Sequence, residues 1–197
     1  MLLLHGDGAG GFFGYDIPRL HAALNDFPAA LLASAVVFEI LFLLTKRDSL
    51  RIAAYWMLMA GVIGAGLAVL SGLGAEDRIA HGEAVHEIME EHEELAFITT
   101  GIFAVVALWR LWRERVMSRG ERMAALLLAL VGSGFLVSTG MHGGELVFDH
   151  AAGIKTPALE EEIKSRAAGH HHEEGEEDED HDEHESPDSV PAPAPTP

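Results

Sequence analysis

The chain has 197 residues, no cysteine and a formal net charge of −18. This length suits a single domain. Without cysteine there is no disulfide, thiolate metal site, iron–sulfur cluster or covalently attached c-type haem. The acids cluster in 76–94 and 160–185 and no basic patch extends beyond short loops, which excludes nucleic acid as an expected partner.

The opening, MLLLHGDGAGGFFGYD, has no basic leader, and His5 and Asp7 interrupt its apolar run. It does not read as a signal peptide. Residues 1–20 form an expected extracytoplasmic segment, and the first span serves as its own insertion signal. That span, 28–45, follows Asn25-Asp26-Phe27-Pro28, with Asp26 suited to an N-cap and Pro28 to an early helical position. Glu39 falls in its middle. An ionisable group at that depth must be protonated, paired or facing water. No Lys or Arg is expected at comparable depth, so the reading is a neutral Glu39 bonded to Ser71, Thr99, Thr100, Ser133 or Ser138.

Lys46, Arg47 and Arg51 precede a second span, 52–74, rich in small residues. Spacings such as Ala60/Gly64 let helices approach closely in lipid. Next comes HGEAVHEIMEEHEE, read beyond Gly82 as a helical extension that runs into a third span, 95–112. His81, Val85, Ile88, His92 and Leu95 fall on one stripe, which turns His92 inward. His86, six residues earlier, points about 120° away and belongs to a different site. Trp56, Trp109 and Trp112 suit an interfacial belt. Arg110, Arg113, Arg115, Arg119 and Arg122 surround the connection to the fourth span, 123–141, which ends in GMHGGELVFDH. On a helix, His142, Glu145 and Asp149 share a face, and Gly143-Gly144 permits a close backbone approach.

From 155 onward the chain is expected to be a disordered tail. HHHEEGEEDEDHDEHES cannot bury enough apolar area to offset its ordering entropy. Its His170, His171, His172, His181 and His184 are candidate weak ligands for divalent transition metals.

Each of the four apolar stretches is about as long as a helix needs to cross roughly 30 Å of hydrocarbon. The fold expected is therefore all-α: a four-helix transmembrane bundle over 21–154. Threaded up and down, the eight basic residues just named lie at one end, and all the histidines lie at the other. The positive-inside rule places the basic end in the cytoplasm and both termini outside.

His21, His92, His142 and His150 approach the outer end from three chain segments, as candidate haem b ligands. Asp26, Glu83 or Glu145 could fix their second nitrogens. Asp26, His86, His92 and Glu145 are the candidates for a Zn or Cu site. No nucleophile motif, phosphate loop or strand pattern is present, so no catalytic residue is assigned. A transporter built on broken helices is disfavoured. An accessory subunit, with membrane lipid as its main partner, is the alternative to a haem- or metal-binding protein.

These residues also resemble a bacterial predicted-membrane-protein family, domain of unknown function 2231, over about 17–154. Its opening H-P-x-x-V-H-F-P is met by His21 through Pro28, with Ala22 and Asp26 replacing the first proline and the second histidine. Its mid-span acid corresponds to Glu39. Its G-E-A-x-H-x-x-x-x-x-H corresponds to Gly82 through His92, and its G-x-x-G-G-E-L-V-x-x-H to Gly140 through His150. Family members are sometimes joined to cytochrome c-like domains. The resemblance thus implies a four-span fold and respiratory electron-transfer surroundings, with a c-type cytochrome or respiratory complex as partner.

Overall fold

A computed structural model of the chain describes residues 16–169. Every regular element among them is a helix: α1 Ile17–Thr45, α2 Asp48–Glu76, α3 Glu83–Arg113, α4 Arg119–Phe148 and α5 Thr156–Ala167. The first four have 29, 29, 31 and 30 residues, or about 43–46 Å each at 1.5 Å per residue. All four are long and apolar enough to cross a membrane.

The helices overrun the apolar stretches at the histidine end. α1 begins at Ile17, not at Pro28. Asp16 caps it by accepting the Arg19 N–H at 3.2 Å, and Pro18 occupies its first turn. Asp26 is therefore an exposed mid-helix residue and not a cap. Pro28 sits inside the helix, buried against α2, with its ring 3.4 Å from where a Gly64 side chain would begin. α3 begins at Glu83, so His81 lies in the preceding connection and off the stripe that holds Val85, Ile88, His92 and Leu95. Ser118 and Glu121 close a reciprocal capping box at the start of α4, which satisfies two otherwise unpaired backbone donors.

α1 packs most extensively on α2, and α3 on α4, with lesser α2–α3 and α1–α4 contacts. α1 and α3 therefore stand diagonally across the bundle. The buried face of α2 is made of Ala54, Leu58, Gly61, Ala65, Ala68 and Ala75, at alternating spacings of four and three as far as Ala68 and one heptad more to Ala75, the seam of a left-handed bundle. Gly61 makes the closest approach: a methyl there would stand 2.7 Å from Leu32. Ala60, expected on this seam, is exposed, and nothing lies within 4 Å of a Gly66 side chain. Leu32 and Phe103 are fully buried at the centre, beside Val36, Val106 and Leu126. The outer faces carry Leu44, Ile63, Leu70, Trp112 and Val137, the surface a lipid environment requires.

The segment from 155 on is not without structure where it is described. Thr156–Ala167 form α5, with an Arg166–Glu162 pair at 2.7 Å one turn apart, and this helix buries no residue. A run of good helix formers with i,i+4 pairs is enough for a short polar helix. Residues 170–197, with the five tail histidines and the expected disorder, lie outside the described residues.

Candidate functional site

Two polar layers close the bundle, one at each end of the apolar core. Eighteen residues, five full turns, separate His21 from Glu39 on α1 and His92 from Arg110 on α3. Each pair therefore shares one helix face, about 27 Å apart along the axis. His21 and His92 meet across the α1–α3 diagonal at one end, and Glu39 and Arg110 at the other.

At the histidine end, the His21 and His92 rings lie edge to face with centres 6.3 Å apart. The His21 Nδ1–H donates to the Ala68 carbonyl (3.0 Å) and to Ser71 Oγ (3.1 Å), while Ser71 donates to the same carbonyl. The His92 Nδ1–H donates to the Thr139 carbonyl at 2.9 Å. A carbonyl can only accept, so each Nδ1 carries the proton and each neutral ring keeps its lone pair on Nε2. Glycines make room for both rings. A side chain at Gly72 would begin 3.1 Å from His21, and one at Gly143 3.1 Å from His92. His142, next to Gly143, donates from Nδ1 to the Ser138 carbonyl (2.9 Å), and its Nε2 lies 3.4 Å from Glu91.

The remaining sequence candidates are placed differently. His150, Asp26 and Glu145 are exposed, and among the described residues no hydrogen bond or ion pair joins them to these rings. His86 faces outward, away from His92, against His81. The 6.3 Å between the ring centres can be compared with the spacing of two nitrogens held by one ion. Two imidazoles on opposite sides of one ion, each bonded at about 2.0 Å, have ring centres about 6 Å apart. Among the described residues no group of three or more His, Asp or Glu side chains converges on one point, so a bare ion would need further ligands.

The opposite end corrects the reading of Glu39 as a neutral residue bonded to a hydroxyl. Glu39 is buried and doubly ion-paired, to Arg110 at 2.8 Å and Arg122 at 3.1 Å. Both arginines read as loop residues in the sequence. In the structure they sit inside α3 and α4, 4% and 8% exposed. Glu39 is six residues from the end of α1 rather than in mid-span, which is where these guanidinium groups reach. Glu114 extends the network to Arg110 (2.8 Å), Arg51 (2.9 Å) and Arg122 (3.4 Å). Burial alone would raise the Glu114 carboxyl, but hydrogen bonds and charge from Arg110, Arg51 and Arg122 outweigh it and hold it below the ordinary range. Arg110 Nη2 is the one buried side-chain polar atom without a partner among the described residues. Arg110, Glu39 and Arg122 line a cavity of about 20 Å³ with Phe103, Leu126 and Ala129, room for about one water.

Three of the expected hydroxyl partners, Ser71, Thr99 and Ser133, bond elsewhere. Thr99 meets Thr139 at 3.2 Å in the core, and Ser133 donates back to Ala129. The signal for the Glu39 network is present in the sequence as the shared eighteen-residue spacing.

A family model described as Predicted membrane protein (DUF2231) matches residues 18–156, and the chain belongs to that family. No curated protein and no solved structure matches the chain.

Proposed function

We propose that this membrane protein binds haem b between His21 and His92 at its outer end and works in respiratory electron transfer. One observation carries the reading: two half-buried imidazoles meet across the bundle diagonal, each with Nδ1 tied to a backbone carbonyl and Nε2 left as a lone pair. Such backbone bonds fix the tautomer and orientation that ligation requires. When bound, the haem would supply one-electron chemistry. The chain's own part is to hold two imidazoles and exclude water with the flanking helices. His21 and His92 would hold the haem through their imidazoles, and the chemistry it would supply there is electron transfer.

In this reading the histidine end faces the outside of a bacterial cytoplasmic membrane, where a c-type cytochrome or respiratory complex could exchange electrons. The tail histidines add weak sites for divalent metals. A second reading, a bare Zn or Cu ion in the cleft, is favoured by His142, whose Nδ1 is tied in the same way and whose ring lies against Glu91.

An absorption spectrum with metal analysis of the detergent-purified full chain tests both. The haem reading expects a Soret band that is lost in His21→Ala and His92→Ala and kept in His150→Ala. A stoichiometric metal without a Soret band selects the second reading. Neither signal would leave an accessory membrane subunit.

A further inference from the structure

The basic end of the bundle carries more positive charge than the chain itself neutralises. Eight Lys or Arg side chains stand there against four acids, and each acid is already engaged. Glu39 pairs with Arg110 and Arg122, Glu114 with Arg110, Arg51 and Arg122, Asp48 with Arg51, and Glu121 with Arg113. Lys46, Arg47, Arg115 and Arg119 are the surplus: all four are exposed, and among the described residues no acid pairs with them. We propose that Lys46 and Arg119 hold the phosphate of an anionic phospholipid at the seam between α1 and α4.

Phe42 of α1 joins the two helices at this end. The Arg122 guanidinium carbon lies 5.3 Å from the centre of its ring, and Lys46 Nζ lies 5.8 Å from the same centre. Lys46 is thereby held at the α1–α4 seam. Arg119 precedes Arg122 by three residues on α4, so it projects from the same side of that helix, one turn nearer its start. The two cations flank the seam just beyond the Phe42–Arg122 contact. Arg122 itself is committed inward, with Nη1 on Glu39 and Nη2 on Glu114. Lys46 is attracted by the face of the ring alone, which leaves its three N–H donors for an anion.

The surroundings select a lipid as the source of that anion. The α1–α4 seam is the loosest between neighbouring helices. Leu41 and Met123, next in the chain to Phe42 and Arg122, are exposed, as are Leu44 and Trp112 at the same end. In a bilayer acyl chains cover such side chains and bring their own headgroup phosphates to this depth. Lys and Arg beside span ends attract anionic headgroups. A zwitterionic headgroup carries an ammonium of its own beside the phosphate, which offsets that attraction. The site stands on the basic end alone and is independent of any cofactor at the histidine end.

The full chain, purified in a neutral detergent, is titrated with phosphatidylglycerol or phosphatidylcholine. Its melting temperature is followed, and the lipid it retains is counted by native mass spectrometry. Phosphatidylglycerol should raise the melting temperature and be retained as a single molecule; phosphatidylcholine should do neither. Lys46→Gln and Arg119→Gln should each weaken the phosphatidylglycerol effect about fivefold, the weight of one cation beside an anionic headgroup. Arg115→Gln removes an equally exposed charge from the connection between α3 and α4 and should leave the effect unchanged. Inorganic phosphate alone should give no rise. An equal loss in Arg115→Gln would show a diffuse attraction to the whole basic end. That result, equal retention of phosphatidylcholine, or a full shift with inorganic phosphate would each overturn the proposal.

Discussion

Glu39 joins two buried arginines, so its loss has a large energetic consequence. Its two oxygens each take one guanidinium nitrogen in a buried site. Removing one partner of a buried ion pair strands the others, at about 3–5 kcal/mol. Glu39→Gln should therefore lower stability by that amount in detergent unfolding. A hydroxyl-bonded neutral acid would tolerate the same change. A double-mutant cycle with Arg110→Gln should return a coupling energy of at least about 1 kcal/mol, because the residues share one network. Glu114 sets the pH limit of the same network. Its folded pKa is depressed, so its contribution is complete above the ordinary carboxylate value of about 4.3 and is lost as pH falls through the lower folded value. Melting temperature followed from pH 7 downward should hold until about pH 5 and then fall. Glu114→Gln should be less stable at pH 7 and lose less of its stability over the acid range.

At the scale of the helices, identity is legible in the sequence and ends are not. Four apolar runs of span length can become little other than four helices in lipid. Their starts are ambiguous because Asp16-Ile17-Pro18 and Asp26-Phe27-Pro28 carry the same Asp-x-Pro signal. Asp26-Phe27-Pro28 is the more persuasive of the pair only because apolar residues follow it directly. A helix need not stop where the apolar run stops, and α1 and α3 continue with polar turns that carry His21 and His92. Arg110 and Arg122 mislead for the mirror-image reason: a charged residue near a span end reads as loop until a buried partner is found for it. The inward turn of His92 is readable from Val85, Ile88 and Leu95, whereas its meeting with His21 needs the diagonal placement of α1 and α3. The helix seam offers its own check. Gly61→Ala would push a methyl to 2.7 Å from Leu32 and should cost about 1–3 kcal/mol of stability. Gly66→Ala, on the same helix with open space around it, should be neutral or slightly stabilising. Equal effects at the two positions would mean that α2 is rotated from the face described.

For the whole molecule, the two polar layers set where the membrane must lie. The His21–His92 layer and the Glu39–Arg110 layer are about 27 Å apart along the helices, close to the roughly 30 Å of a hydrocarbon core. Each therefore sits at an interface rather than in the bilayer centre, where either would be costly. Orientation then rests on the basic residues. Arg110 and Arg122 are buried inside the bundle, yet Lys46, Arg47, Arg51, Arg113, Arg115 and Arg119 remain at that end, against Arg19, Arg78 and Lys155 near the spans at the other. The positive-inside rule counts lysines and arginines near span ends and gives acids little weight, so the buried pairs do not reverse the bias. The expected arrangement has the Glu39 layer facing the cytoplasm and the histidines facing out. Single cysteines at Ser49, which is exposed at the start of α2, and at Ser186 read this directly, because the chain has no cysteine of its own. In intact spheroplasts an impermeant thiol reagent should label Ser186→Cys and spare Ser49→Cys until the membrane is opened. The reverse pattern would put the histidine end in the cytoplasm and remove the route by which an extracytoplasmic cytochrome could reach His21 and His92.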